Sequence, residues 1–229
     1  MELLLTTDII GTLTELDTDL LLAVNRRHSA VGDTFMWLVS RKFEWIPMYA
    51  ALVYVMLRNF HWKMVLIALL AMGAIFALTD ACNTQLLRPA VARMRPSNLD
   101  NPVSTWVHVV DGYRGGPYGF PSAHSSNSWG LVFFITWLFR HRGLTLFLAF
   151  WATLQCYSRL YLGVHYPGDL MAGMLLAFLS ATLVYFLVRR FTKLPVPTDL
   201  KHPYVPVCVG AVTLLAFLAY SITINFFFN

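Results

Sequence analysis

A chain of 229 residues with 57% hydrophobic and only 13% charged residues, and a mean hydropathy of +0.58, is far from soluble domains, in which roughly 25% of residues are charged. The long uncharged segments exclude an ordinary soluble domain and point to an all-α polytopic membrane helix bundle folding as one unit. The net charge of +5 does not signal nucleic acid. The basic residues sit mostly in short connections between apolar runs, where membrane topology accounts for them, and no basic face with interleaved aromatics occurs.

From Asp8 to Ala30 the pattern is amphipathic. Leu13, Leu16, Leu20 and Val24 recur at helical spacing opposite Glu15, Asp19 and Arg26, which predicts a helix lying in the interface or against the bundle. Met1 to Leu5 lacks the basic region of a signal peptide and Asp8 interrupts the apolar run, so the first span is expected to act as its own insertion signal. A short helix is expected over Asp33 to Val39, then a first span over about Glu44 to Leu57 with Trp45 and Tyr54 near its interfaces. The second span runs over about Met64 to Leu87 and is closed by the Arg88 to Pro96 cluster. A polar, Gly/Pro-rich loop extends from Pro96 to Pro121. Further spans cover Ser122 to Phe139, Leu144 to Tyr161, Asp169 to Val188 and Val205 to Phe228, each near the ~20 residues needed to cross hydrocarbon. One domain over 1–229 is expected: an interfacial helix at 8–30, a core at 64–190 that holds the polar clusters taken up below, and a C-terminal transmembrane helix at 205–228. Cys82, Cys156 and Cys208 lie in apolar segments without CxxC or Cys/His spacing, and are read as packing residues rather than disulfides or zinc ligands.

Charge orients these six spans. Arg58, Lys63, Arg140, Arg142, Arg189, Arg190, Lys193 and Lys201, eight of the 17 Lys and Arg, share one side with a single acid, Asp199. The positive-inside tendency makes that side cytoplasmic, although Arg26, Arg27, Arg41 and Lys42 fall opposite. The remaining polar clusters then face outward.

Three of those clusters carry chemistry. In Arg88-Pro-Ala-Val-Ala-Arg-Met-Arg-Pro96, Arg88 and Arg95 are seven apart, two helical turns, which predicts that both project from one helix face while Arg93 points elsewhere. Basic residues closing a span against its dipole would give the same pattern. Phe120-Pro-Ser-Ala-His124 opens a span: Ser122 is a natural N-cap, and the free amides beyond it make an anion site beside His124. An ordinary capped helix with an interfacial histidine would read identically. In Ser158 to Asp169, a break between apolar runs exposes Arg159, His165 and Asp169 together. The imidazole can attack or transfer protons, the carboxylate can hold its tautomer, and the arginine can bind phosphate oxygens. Pro167 fits the first position of the next helix, which puts Asp169 in its first turn within reach of His165 Nδ1.

Taken together, basic-x6-Arg-Pro, Pro-Ser-x-His and Ser-Arg-x5-His-x3-Asp resemble the type 2 phosphatidic acid phosphatase superfamily, from about the second span to the fifth. The third motif matches in full; Ala123 stands where glycine is commonest and Arg88 where lysine is usual, which alters phosphate geometry but keeps a backbone amide and a charge. The resemblance implies that His165 takes up the phosphoryl group, Asp169 orients it, and His124 protonates the leaving oxygen and then activates water. It implies that Arg88, Arg95 and Arg159 hold the phosphoryl oxygens with the Ser122 hydroxyl and the Ala123 and His124 amides. No metal or other cofactor is implied, three arginines standing in for Mg²⁺.

Asp80 shares a helical face with Thr84 and Arg88 and is read as organising the helix that presents Arg88. Phe133-Phe134 and Phe226 to Phe228 are read as lipid-facing, and Arg114 to Gly119 as a lid. The expected partners are a lipid phosphate and membrane lipids, with no nucleic acid and no obligate protein partner. The expected setting is the cytoplasmic (inner) membrane with the site facing the periplasm or exterior. The resemblance favours undecaprenyl diphosphate as substrate, with phosphatidylglycerol phosphate and the phosphates of lipid A as alternatives. A vanadate haloperoxidase would use the same pocket but is generally soluble. A non-catalytic lipid-binding protein would not need all three motifs.

Overall fold

The computed structural model describes residues 2–192 and 197–227; Lys193 and Phe228, each used in the sequence reading, lie outside them. Among the described residues the regular structure is helical, with one isolated antiparallel bridge between Met94 and Tyr118. The helices are α1 (Glu2–Asn25), α2 (Ala30–Ser40), α3 (Ile46–Asn59), α4 (Trp62–Ala81), α5 (Arg88–Val91), α6 (Ala123–Phe139), α7 (Arg142–Tyr161), α8 (Pro167–Thr192) and α9 (Val205–Phe227). A π-helical turn over Cys82–Leu87 joins α4 to α5. Pro89 lacks the N–H an α-helix would use and its ring crowds the preceding turn, a conflict that the wider π turn accommodates.

Among the described residues three helices are long and apolar enough to cross a membrane: Trp62–Val91, Pro167–Thr192 and Val205–Phe227. Six were expected from the sequence. The difference has a physical cause. α3 has 14 residues, about 21 Å at helical rise. α6 buries Ser125, Ser126 and Ser128, and α7 buries Gln155, Ser158 and Arg159. These two helices spend part of their length on polar side chains turned into the bundle.

α6 sits at the centre, packed on α4, α7 and α8, while α9 lies against α2 and α3. Gly173 lets α8 come close to the start of α6: a Cβ there would lie 2.6 Å from the Ser122 carbonyl oxygen. The core contains Trp45, Met48, Ile75, Phe134, Leu148 and Trp151. Trp45, expected at an interface, is instead fully buried, edge-on to Trp151 and Phe217, with its indole N–H donated to the Val39 carbonyl at 2.9 Å. Phe134 is likewise core rather than lipid-facing, whereas Phe226 and Phe227 are exposed. The three cysteines are free, and Cys208 is exposed rather than packed.

α1 begins earlier than expected and ends at Asn25; Ser29 then caps α2 by accepting from Gly32 N at 3.1 Å. The Leu13, Leu16 and Leu20 stripe points outward. The face that seats on the protein carries Leu21 and Leu22, which pack with Val107 and Tyr166, and Asn25, which bonds the Tyr161 carbonyl. The stretch from residue 92 to 121 is therefore not a loose loop. It folds back through Arg95 N to the Pro117 carbonyl (3.2 Å) and Gly119 N to the Arg93 carbonyl (2.9 Å), and rests on α1 and the end of α7.

The connections after α3, α6 and α8 share one end. Asn59 and the Lys201 backbone exchange two hydrogen bonds, and Phe60 stacks on Phe139. The opposite end holds the start of α6, the end of α7 and the start of α8.

Candidate active site

At that opposite end all three sequence motifs converge. Ser122 N donates to the Asp169 carbonyl at 2.9 Å, tying the starts of α6 and α8 together. α8 begins at Pro167, as its fixed φ and missing N–H favour, so Asp169 lies in its first turn and His165 just before it. His165 is 1% exposed and Asp169 fully buried. His165 Nδ1 lies 3.3 Å from Asp169 Oδ2.

The other imidazole nitrogen faces a cation: Arg95 Nη1 approaches His165 Nε2 at 2.8 Å and also donates to the Val164 carbonyl at 3.0 Å. A guanidinium can only donate, so Nε2 carries the lone pair and Nδ1 the proton that faces the carboxylate. Burial and then the charges of Arg95, Arg159 and Arg88 push His165 well below the ordinary histidine range, keeping the ring neutral. Burial and the two neighbouring arginines also bring Arg95 down to about 10.

Arg159 is 2% exposed, donating through Nη1 to the Ser40 hydroxyl and through Nη2 to the Tyr113 hydroxyl at 3.2 Å. That guanidinium holds the Tyr113 phenol below its usual value in spite of burial. His124, in the first turn of α6, lies beside the Ser40 backbone and within electrostatic reach of Arg159, His165 and Arg95. Ser122 is fully buried and its hydroxyl caps α6, accepting from Ser125 N at 3.5 Å. The Ala123 and His124 amides fall in the first turn, which an α-helix leaves without partners of its own.

Arg88, Arg95 and Arg159 make no ion pair with a carboxylate among the described residues. Each also has a buried Nε with no hydrogen-bond partner. Buried polar groups are ordinarily satisfied, so three guanidinium donors turned toward one imidazole make a pocket whose chemistry suits an anion.

Three expectations, on Arg95, Asp80 and Arg93, are corrected here. Arg95 is not on the helix with Arg88: the helix ends at Val91, Ala92 is left-handed, and Pro96 disfavours helical geometry at residue 95. The two arginines meet through a chain reversal rather than a shared face. Asp80, read as organising the helix that presents Arg88 from a shared face, is exposed, and the π turn over Cys82–Leu87 breaks the straight helical face on which that reading relied.

Arg93, expected to point elsewhere, instead holds Asp169. It donates to Asp169 Oδ1 at 3.1 Å and to Asp17 Oδ2 at 2.5 Å, with its guanidinium 4.0 Å from the centre of the Tyr166 ring. Asp17 also accepts from Gly168 N at 2.7 Å, and Tyr166 N donates to Asp169 Oδ2 at 3.0 Å. Asp17, Ser40 and Tyr113 carry no local signal; only their tertiary placement links them to the motifs. The Arg114 to Gly119 stretch lies against the site: a Cβ on Gly119 would meet Asp169 Oδ2 at 2.9 Å and Arg95 Cγ at 3.3 Å.

The arrangement can bind a polyanion and present it with an uncharged imidazole nitrogen, at one end of a bundle apolar enough to enter a bilayer. Those are the requirements of a phosphoryl-transfer site in an integral membrane protein. Residues 62–193 match the PAP2 superfamily, and the chain belongs to it. It is 42% identical over 222 residues, 93% of this chain and 99% of the relative, to the lipid A 4'-phosphatase of Bacteroides thetaiotaomicron. It is 32% identical over 174 residues, 75% of this chain and 72% of the relative, to the lipid A 4'-phosphatase of Porphyromonas gingivalis. A third relative, the phosphatidylglycerophosphatase B of Haemophilus influenzae, is 30% identical over 123 residues, 47% of each chain. No solved structure matches significantly. The protein is thus an integral membrane phosphatase. None of these relatives bears the name of an undecaprenyl diphosphatase, so the substrate first favoured from sequence finds no support here.

Proposed function

We propose that the protein removes a phosphate monoester from a lipid A-type glycolipid at the outer face of the cytoplasmic membrane, with six membrane-crossing segments and no metal in the reaction. The three unpartnered arginine Nε atoms carry the chemical part of this reading. The alignment along nearly the whole length of a lipid A 4'-phosphatase supports the substrate.

In this mechanism a phosphate oxygen displaces Arg95 from His165 Nε2 and takes up the freed guanidinium bonds of Arg88, Arg95 and Arg159, together with the amides of Ala123 and His124. The Ser122 hydroxyl holds the helix start that presents those amides. The Nε2 lone pair attacks phosphorus as the bond to the sugar oxygen breaks, and His124, entering as the imidazolium once the anionic phosphate offsets the neighbouring arginines, gives that oxygen its proton. The imidazole, now phosphorylated on Nε2, keeps its Nδ1 proton against Asp169. His124 then takes a proton from water; the hydroxide attacks phosphorus, releases inorganic phosphate and restores neutral His165. The arginines counter the charge spread over the equatorial oxygens.

The test is phosphate release by purified protein in detergent with excess EDTA, offered lipid A, phosphatidylglycerol phosphate and undecaprenyl diphosphate in parallel. Release from lipid A with loss of one sugar phosphate by mass spectrometry is the expected result. A marked preference for either other lipid would overturn the substrate, and loss of all turnover in EDTA would overturn the metal-free mechanism.

A further inference from the structure

Away from the arginines, a second cluster joins the residue 92–121 connection to the α1–α2 hairpin. His28 lies in the turn after α1, Asp33 in the first turn of α2, and His108 in the connection; their ligand atoms all lie within 4.8 Å of one another. His108 Nε2 is 2.8 Å from Asp33 Oδ2. The His28 and His108 rings are stacked, with centroids 3.7 Å apart and planes 4° from parallel.

The supports of this cluster are built from buried groups. Asn25, fully buried, brackets His108 by donating to its carbonyl at 2.9 Å and accepting from its amide at 2.7 Å. The Tyr161 hydroxyl donates to Asp33 Oδ1 at 2.8 Å, leaving Oδ2 for His108. A carboxylate that ligates a metal is usually itself held by an outer hydrogen bond, as Asp33 is here by Tyr161. His28 is exposed and the other two partly so, which leaves room for water and a route for an ion.

We propose that His28, Asp33 and His108 bind one divalent transition-metal ion of the zinc type, with water as fourth ligand. Two imidazole nitrogens and one carboxylate oxygen suit zinc, cobalt or nickel and not magnesium or calcium, which favour oxygen donors. With metal–ligand bonds near 2.0–2.2 Å, tetrahedral ligand atoms lie about 3.4 Å apart. Loading therefore opens the His108–Asp33 contact slightly and rotates His28, the exposed member, inward. The ion pins to the hairpin the connection that brings Tyr113 to Arg159 and Gly119 against Asp169. It is a clamp on the site's cover and takes no part in phosphoryl transfer, so it does not depend on the proposed substrate.

The experiment uses full-length protein with a histidine-free affinity tag, stripped with EDTA in detergent and titrated with cobalt(II), then competed with zinc. The wild type is expected to take up one equivalent with the intense visible absorption of tetrahedral cobalt, lost on adding zinc, and zinc should raise its thermal midpoint. His28→Ala and His108→Ala should each lose both effects while the stripped proteins keep phosphatase turnover, which shows that they are folded. Tyr161→Phe, which removes the support of Asp33, should weaken uptake by about 10–100-fold. Absence of tetrahedral cobalt absorption in the wild type, or wild-type uptake in both histidine variants, would overturn the proposal.

Discussion

The two ends of the bundle use the same residue type in opposite ways. At one end Arg58, Arg140, Arg142, Arg189 and Arg190 are exposed. At the other, Arg95 and Arg159 are buried, and among the described residues Arg88, Arg95 and Arg159 each have an unpartnered Nε and no carboxylate in an ion pair. A solvated guanidinium costs the fold almost nothing, so its presence reports membrane orientation. A buried guanidinium without a counter-ion is expensive, and keeping Arg95 and Arg159 buried beside the partly exposed Arg88 is the cost the proposed phosphate site would offset.

The largest effect expected at the cation-rich end comes from the proposed nucleophile. His165→Ala should reduce turnover by a factor on the order of 10⁴ or more, as loss of a covalent nucleophile does in other enzymes, while the thermal midpoint in detergent stays measurable; near-normal phosphate release would remove His165 from the mechanism. Next, Arg159→Gln should lower kcat about 10²–10³-fold, the usual loss for one donor to a transition-state oxyanion. The same change should raise thermal stability, because a buried unpaired charge disappears; a loss of both activity and stability would mean that Arg159 is structural.

A smaller loss is expected one step out from the pocket. Arg93→Ala removes one charge-assisted hydrogen bond to Asp169, about 1.5–3 kcal/mol, so kcat should fall on the order of tenfold or somewhat more, and Arg93→Lys should recover part of it. Recovery by lysine of KM alone would place Arg93 in substrate binding instead. The acid side of the pH profile gives a subtler reading. Neutral His165 is the attacking form, and its lowered pKa places the acid limb of kcat/KM below the ordinary value of about 6.5. Arg88→Gln deletes one of the charges that oppose protonation, so the pKa rises and the limb moves up in pH, with the same substrate as reference; an unmoved limb would show that Arg88 does not act on His165. Smallest of all, Arg142→Gln at the opposite end should leave kcat/KM within about twofold, as exposed substitutions usually do. A large loss there would erase the contrast between the two ends.

Much of this was legible in the sequence because it depends on short-range chemistry. Ser122 before Ala123-His124 marks a helix start, Pro167 marks another, and the spacing of His165 and Asp169 spans one helical turn. Those local rules survive in any fold. The errors came where a straight helix was extended through residues that break it. Pro89 imposes the π turn that separates Asp80 from Arg88, and the chain reversal after Ala92 carries Arg95 off the helix while sending Arg93 to Asp169.

Sequence alone determined the helical class, the membrane setting and the membership of three motifs in one phosphatase pattern, since apolar length, capping residues and motif spacing are properties of neighbouring residues. Only the tertiary structure decided that α1 reaches Asp169 through Asp17 and Arg93, that Ser40 and Tyr113 receive Arg159, and that His28, Asp33 and His108 meet. Those contacts join residues up to 119 positions apart, as Ser40 and Arg159 do, and no periodicity in a chain encodes which distant polar groups will share one buried space.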